Sequence, residues 1–222
     1  MNGREIREHI IYHKYLFYTD FYRYSGREFR FKDWLKIVLN YEMPQIRVLY
    51  FLRKAQKYCN LSLMGGWRLL FFPVRRFYRR LNKHIQEKYC LEIPITVKIG
   101  TGLRMYHTEG VVINNESVIG NNCSIFHQVT LGNNIRADRY KAPVLGDYVN
   151  VGSGAKLIGD IRIPDNVTIA ANAVVTKSPE HGDVVIGGIP YKVLKSKDAD
   201  DHEGWNFDYM TFEEWKRSHK YQ

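Results

Sequence analysis

Aliphatic residues recur every six positions through the second half of this chain of 222 residues. The series runs Ile113, Ile119, Ile125 and Leu131, then resumes at Leu145, Val151, Leu157, Ile163, Ile169 and Val175. A helix repeats every 3.6 residues and a strand every two, so neither accounts for a strict period of six over that length. The period fits a parallel left-handed β-helix, a solenoid in which three hexapeptides complete one triangular coil. A second inward position follows each aliphatic one by four residues, as at Ser117, Cys123, Val129, Val149, Ala155, Ile161, Val167 and Ala173. Large and small side chains thus alternate around a narrow interior. Ile119-Gly120, Asn121-Asn122, Gly146-Asp147 and Asp165-Asn166 supply residues that tolerate tight corners.

The beat fails between Leu131 and Leu145, where NNIRADRYKAP is too polar and irregular for a coil turn. The spacing predicts an extruded loop over 132–144, and such loops carry function more often than the scaffold that presents them. VVTKSPEHGDVVIGGIPYKVLK then closes the solenoid and shields its last edge. An acidic DADDHE stretch follows. Thr211 and Glu214 beyond it form a capping box for a short helix, whose Phe212 and Trp215 dock on the parent chain or a neighbouring subunit. The expected organisation is a basic, aromatic-rich helical region over 1–90, the β-helix over 91–195, and an acidic linker with a C-terminal helix over 196–222.

Residues 1–31 are rich in Tyr, Phe and Arg without a clean period and read as an irregular arm with one helix. Residues 32–58 read as a helical hairpin. Trp34, Ile37 and Val38 share one face, and Pro44 opens a second helix with Ile46, Leu49, Tyr50 and Arg53 on its stripe. Gly65-Gly66 breaks the next segment, and Pro73 precedes a helix in VRRFYRRLNKHIQEKY. Phe77, Leu81 and Ile85 form one stripe there, with Arg75, Arg76, Arg79, Arg80 and Lys83 on the others. Two readings stand: a helix packed on the end of the solenoid, or residues 68–88 in peripheral contact with a membrane surface or an anionic polymer.

Charge is divided unevenly. Residues 1–90 hold 19 Lys and Arg against 7 Asp and Glu, and residues 91–222 hold 14 against 16. The whole positive excess therefore precedes the solenoid, which suits an anionic partner or a solvated face. No recognition motif accompanies the charge, which argues against nucleic acid. Three cysteines at no metal-like spacing suggest neither a disulfide framework nor a zinc site. No apolar run reaches membrane-spanning length, and the N-terminus MNGREIREHI has no signal-peptide core. The expected location is the cytoplasm, with the inner face of the membrane as the peripheral option.

The segments ITVKIGTGLRMYHTEGVVINNESVIGNNCSIFHQVTLG and VLGDYVNVGSGAKLIGDIRIPDNVTIAANAVVTK resemble the hexapeptide-repeat acyltransferases of the serine acetyltransferase branch. The resemblance covers about residues 88–195 and reads closest to bacterial polysaccharide O-acetyltransferases. It implies transfer of acetyl from acetyl-CoA to a hydroxyl, which needs a base for the hydroxyl proton and donors for the oxyanion. His107 falls where the family has its catalytic histidine. Glu92 falls where the family has an aspartate that orients it, although a plain surface glutamate is the alternative. Ser153, Gly154 and Ala171 match the small-residue walls beside the pantetheine arm, as packing alone would also favour. Asn133, after Gly132, matches the position whose backbone amide meets the thioester. Lys177, Lys192 and Lys195 are candidates for the CoA phosphates. A homotrimer with its sites at subunit grooves is implied, and no metal.

The departures bear on the acceptor. Serine enzymes have an aspartate just before the histidine and an Arg-His pair in the extruded loop; this chain has Tyr106, Arg139 and Tyr140. A site without its polar anchors discriminates poorly for the ligand that needed them. His127 either shapes the acceptor pocket, as in sugar-modifying relatives, or points to solvent. The favoured acceptor is a saccharide hydroxyl; the alternatives are serine and a non-catalytic trimeric scaffold with a basic anion-binding arm.

Overall fold

The computed structural model describes residues 3–39, 43–63, 68–202 and 209–220, apart from the Arg68 side chain. Twelve short strands wind into four coils of three. The first coil holds β1 (Lys98–Ile99), β2 (Arg104–Met105) and β3 (Val112–Ile113), and the second holds β4 (Val118–Ile119), β5 (Ser124–Ile125) and β6 (Thr130–Gly132). The third holds β7 (Val144–Leu145), β8 (Asn150–Val151) and β9 (Lys156–Ile158), and the fourth β10 (Arg162–Ile163), β11 (Thr168–Ile169) and β12 (Val174–Val175). Equivalent strands stack in parallel, giving three faces: β1-β4-β7-β10, β2-β5-β8-β11 and β3-β6-β9-β12. This is the left-handed β-helix that the six-residue beat predicts. Every residue of the beat is buried, and so is every second inward position from Ser117 to Ala173.

The corners explain how so short a strand can end. Two residues before each second-face strand the backbone is left-handed, at Gly102, Asn122, Tyr148 and Asn166. The same holds before each third-face strand, at Gly110, Gln128, Gly154 and Asn172. Asn and Gly accept that conformation at low cost, whereas Tyr148 and Gln128 adopt it against their intrinsic preference. One corner also carries a ladder of side chains. Asp165 accepts from the Asp147 amide (2.8 Å), Asp147 from the Asn121 amide (2.7 Å), and Asn121 from the Thr101 amide (3.0 Å). Each carboxylate or amide thus satisfies a backbone donor that the turn leaves open.

After the fourth coil, β13 (Val184–Gly187) extends the second face, and β14 (Lys192–Ser196) folds back antiparallel along it. Four helices precede the coils: α1 (Gly3–Ser25), α2 (Phe31–Val38), α3 (Pro44–Leu63) and α4 (Arg68–Lys88). The helical pair expected over 32–58 is present, tied by a hydrogen bond from Trp34 Nε1 to the Tyr50 hydroxyl (3.0 Å). The irregular arm expected over 1–31 is not. Helix α1 takes up Gly3–Ser25 of that stretch, and its inward stripe carries Thr19, Asp20 and Arg23 among its aromatics. Polar residues on the buried side hide the apolar period.

Those polar residues dock the helices on the first coil. Arg53 is buried and pairs with Asp20 (2.8 Å), while donating to the Ile99 and Gly100 carbonyls (2.9 and 2.6 Å). Asp20 also accepts from the Leu103 amide (2.8 Å), and Arg23 donates to the Asn122 carbonyl and the Ser124 hydroxyl. Asp20 and Arg53 thus have their buried charges met by several partners each, the condition under which burial is tolerable.

Helix α4 begins before Pro73, with the proline inside it, and not after it as expected. Its packed face also differs from the expected stripe. Tyr78 stacks on Tyr58 of α3 and Ile85 is buried, whereas Phe77 is exposed. Gln86 clamps both backbone groups of Ile93 (2.7 and 2.9 Å), so the C-terminal end of α4 sits on the solenoid edge. At the other terminus, α5 (Phe212–Ser218) has the expected Thr211–Glu214 capping box. Its Trp215 is buried against Tyr15 and Tyr18 of α1, so the helix docks on its own chain. Among the described residues no helix is long and apolar enough to cross a membrane.

Candidate active site

Two residues past each second-face strand, the chain turns a corner, and one column of side chains marks that corner. The column runs His107, His127, Ser153 and Ala171 on successive coils. His107 is exposed on the first coil. Its turn is held by the Gly110 amide donating to the Cys90 carbonyl (2.7 Å) and the Gln128 amide donating to the Glu109 carbonyl (2.8 Å). His127 lies beside it, the two rings edge to face with centroids 5.4 Å apart, and His127 Nδ1 is 3.3 Å from the Ser153 hydroxyl. His127 is half-buried in this column and so does not simply point to solvent.

Tyr106 precedes His107 and is half-buried. Its ring stacks on Phe126 at 4.1 Å, the Arg104 guanidinium lies 4.4 Å from its centroid, and its carbonyl accepts from Gln45 Nε2 (2.8 Å). Phe126 and Gln45 were not legible as site residues, yet a signal existed for one of them. Phe126 precedes His127 as Tyr106 precedes His107, twenty residues earlier in the chain.

The expected pairing of Glu92 with His107 is not formed. Glu92 is exposed on the third face, bridged through its backbone to Val112, and among the described residues neither its carboxylate nor the His107 imidazole has a hydrogen-bond partner.

The residues between β6 and β7 leave the coil at a different corner, between the third and first faces. Asn134 and Asp138 bridge across this loop, Asn133 donates to the Arg139 carbonyl (2.8 Å), and Lys141 pairs with Asp160 (2.6 Å). Arg139 and Tyr140 are both exposed and bind each other, with Arg139 Nη2 donating to the Tyr140 hydroxyl (2.6 Å). A full face separates them from His107, about 15–20 Å for six extended residues. Among the described residues no hydrogen bond or ring contact joins this loop to the His107 corner.

The small residues expected beside a pantetheine arm are divided. Ser153 and Ala171 continue the His107 column; Gly154 takes φ +75°, and a Cβ there would collide with the Asn172 side chain. Gly132 lies at the end of β6, where its carbonyl accepts from the Gly159 amide (2.8 Å). Lys177 and Lys192 line a groove of about 720 Å³ with Glu180 and Tyr191, between the last coil and the closing hairpin. Lys195 does not line it. The groove is three coils from His107, about 14 Å along the solenoid axis. Among the described residues no cluster of His, Cys, Asp or Glu could hold a metal ion.

The triangular coil and its extruded loop are the architecture of the hexapeptide-repeat transferases. The chain aligns at 38% identity over 126 residues with a serine acetyltransferase of Helicobacter pylori, covering 55% of this chain and 74% of that protein. The chain belongs to the serine acetyltransferase family. It also matches a probable serine acetyltransferase of Oryza sativa at 34% over 132 residues, spanning 60% of this chain and 43% of that longer protein. In fold it resembles the Brucella abortus serine acetyltransferase solved in complex with coenzyme A, with a TM-score of 0.65 at 23% identity over 83% of this chain and 68% of that one. No protein-family model matches the chain.

Proposed function

We propose that the protein is an acetyl-CoA-dependent O-acetyltransferase with His107 as general base. The observation that carries this is the exposed His107 corner, in a chain whose relatives are named serine acetyltransferases. The imidazole takes the proton of the acceptor hydroxyl as its oxygen attacks the thioester carbonyl. The Asn133 amide is the candidate donor to the oxyanion that forms. Collapse breaks the carbon–sulfur bond, and the imidazolium returns its proton to the departing CoA thiolate, leaving the acetyl ester and free CoA. Lys177 and Lys192 are the candidate contacts for the CoA phosphates, the pantetheine running toward them past Ser153 and Ala171.

The separation of His107 from Arg139 by a full face supports a homotrimer, in which the loop of one copy meets the histidine corner of the next. Docking would also cover the exposed imidazole and exclude water from the reaction. Glu92 is the candidate orienter of His107 in that assembly, reached by a change of side-chain rotamer.

Serine is the acceptor that the relatives favour. A saccharide hydroxyl is the second reading, carried by one observation: the residue before the base is Tyr106, stacked on Phe126 and Arg104, where a carboxylate would be needed to hold an amino group. A flat aromatic surface suits a sugar ring. CoA release from acetyl-CoA, measured with L-serine and with a panel of saccharides, separates the two. Saturable turnover at sub-millimolar serine supports the first reading. Turnover with a saccharide and none with serine supports the second, and no turnover with any hydroxyl acceptor overturns both.

A further inference from the structure

The antiparallel pair α3–α4 ends in a surface that the acetyl-transfer reading does not use. Tyr58 meets Phe71 and Tyr78, and Arg75 donates to the Ser62 hydroxyl (3.1 Å), so Leu63 at the end of α3 lies beside the start of α4. On either side of that junction apolar side chains face solvent: Leu63 is 66% exposed, Leu69 88%, Leu70 60% and Phe72 50%. Soluble surfaces rarely cluster so many large apolar groups without a partner.

Cations follow along the same helix. Arg75, Arg76, Arg79, Arg80 and Lys83 line a groove of about 450 Å³ with Phe72 as its apolar end, and no acidic side chain contributes to it. The one acid within residues 68–88 is Glu87, which pairs with Lys83 (3.6 Å). Arg76, Arg79 and Arg80 have no ion-pair partner among the described residues. At a rise of 1.5 Å per residue, Arg76 lies about 10 Å beyond Leu69 along the axis. Exposed apolar groups beside an unneutralised cationic groove are the combination by which peripheral helices meet anionic lipid.

We propose that the exposed apolar side chains of α3 and α4 and the cationic groove beside them dock on an anionic phospholipid bilayer, with Leu63, Leu69, Leu70 and Phe72 entering the acyl boundary and the arginines of the groove binding phosphates. Charge selects this occupant over a second copy of the chain. A symmetric contact through the same patch would set the unpaired arginines of two copies against each other, and like charges directly opposed are unfavourable. The proposal goes beyond the acetyl-transfer reading and does not depend on it. It would bring the acceptor site to a membrane surface.

The test uses the full chain and sedimentation with phosphatidylcholine vesicles, with and without phosphatidylglycerol. The wild type is expected to sediment with the anionic vesicles and not with neutral ones, and to dissociate as salt rises. The variant R76Q/R79Q/R80Q is expected to lose about two orders of magnitude in anionic-vesicle affinity. L69S/F72S is expected to weaken binding even at low salt. These side chains are exposed, so far-ultraviolet circular dichroism and CoA release in solution should match the wild type in both variants. A wild type that stays in the supernatant with anionic vesicles overturns the proposal. So does vesicle binding that neither variant reduces, or an assembly that sedimentation velocity shows L69S/F72S to dissociate, which would make the patch an interface between copies. Loss of vesicle binding with CoA release intact, or the reverse, distinguishes failure of this proposal from failure of the acetyl-transfer reading.

Discussion

The imidazoles of His107 and His127 stand edge to face at 5.4 Å, one coil apart on the same corner, and the Ser153 hydroxyl holds Nδ1 of His127. The geometry makes His127 a neighbour of the base and a candidate contact for the acceptor. His127→Gln should lower kcat/KM for the acceptor by about three- to tenfold, the worth of one net hydrogen bond, and leave KM for acetyl-CoA unchanged. Steady-state kinetics with each substrate varied in turn measures this; an unchanged acceptor kcat/KM would reduce His127 to a coil residue.

Asp20 and Arg53 hold the helices to the first coil, and both are buried. Removing one partner strands the other charge. Asp20→Ala should cost about 3–5 kcal/mol of stability in urea unfolding. A loss below about 1 kcal/mol would mean that water reaches Arg53.

Ala155 is fully buried inside the third coil, between larger residues of the beat. Ala155→Phe should overfill the interior and cost roughly 1–3 kcal/mol, lowering Tm by several degrees. An unchanged Tm would contradict the inward register.

His13 gives the fold a dependence on acid. Burial, helped by His9, Arg53 and Lys57, lowers its pKa from 6.5 to about 3. A folded value below the unfolded one means that the native state favours the neutral ring. The contribution of His13 is therefore complete above pH 6.5 and is lost as pH falls toward 3. Urea midpoints measured across that window should drop less steeply in His13→Gln than in the wild type; equal slopes would remove His13 as the cause.

The solenoid was legible because its interior admits only inward residues at fixed spacing, so Ile113 to Val175 encode the coil directly. The break at Leu131 was legible for the same reason. Helix α1 was not, because Thr19, Asp20 and Arg23 face inward and partners come from other elements: Gly102 and Leu103 on the solenoid edge, Asn122 and Ser124 in the second coil, and Arg53 in α3. Nor was the start of α4, since a proline inside a helix reads as its beginning. At the site, His107, Ser153 and Ala171 were named through the family resemblance, and the repeat sets them with His127 in one column. The missing Glu92 contact and the Phe126 stack depend on side-chain reach, which spacing does not convey.

Release of CoA from acetyl-CoA in the presence of acceptor, compared between the wild type and His107→Ala, tests the central claim most directly. Loss of a positioned general base should lower kcat by about 10²- to 10⁴-fold with the fold and acetyl-CoA binding retained. Turnover by His107→Ala equal to that of the wild type would contradict it.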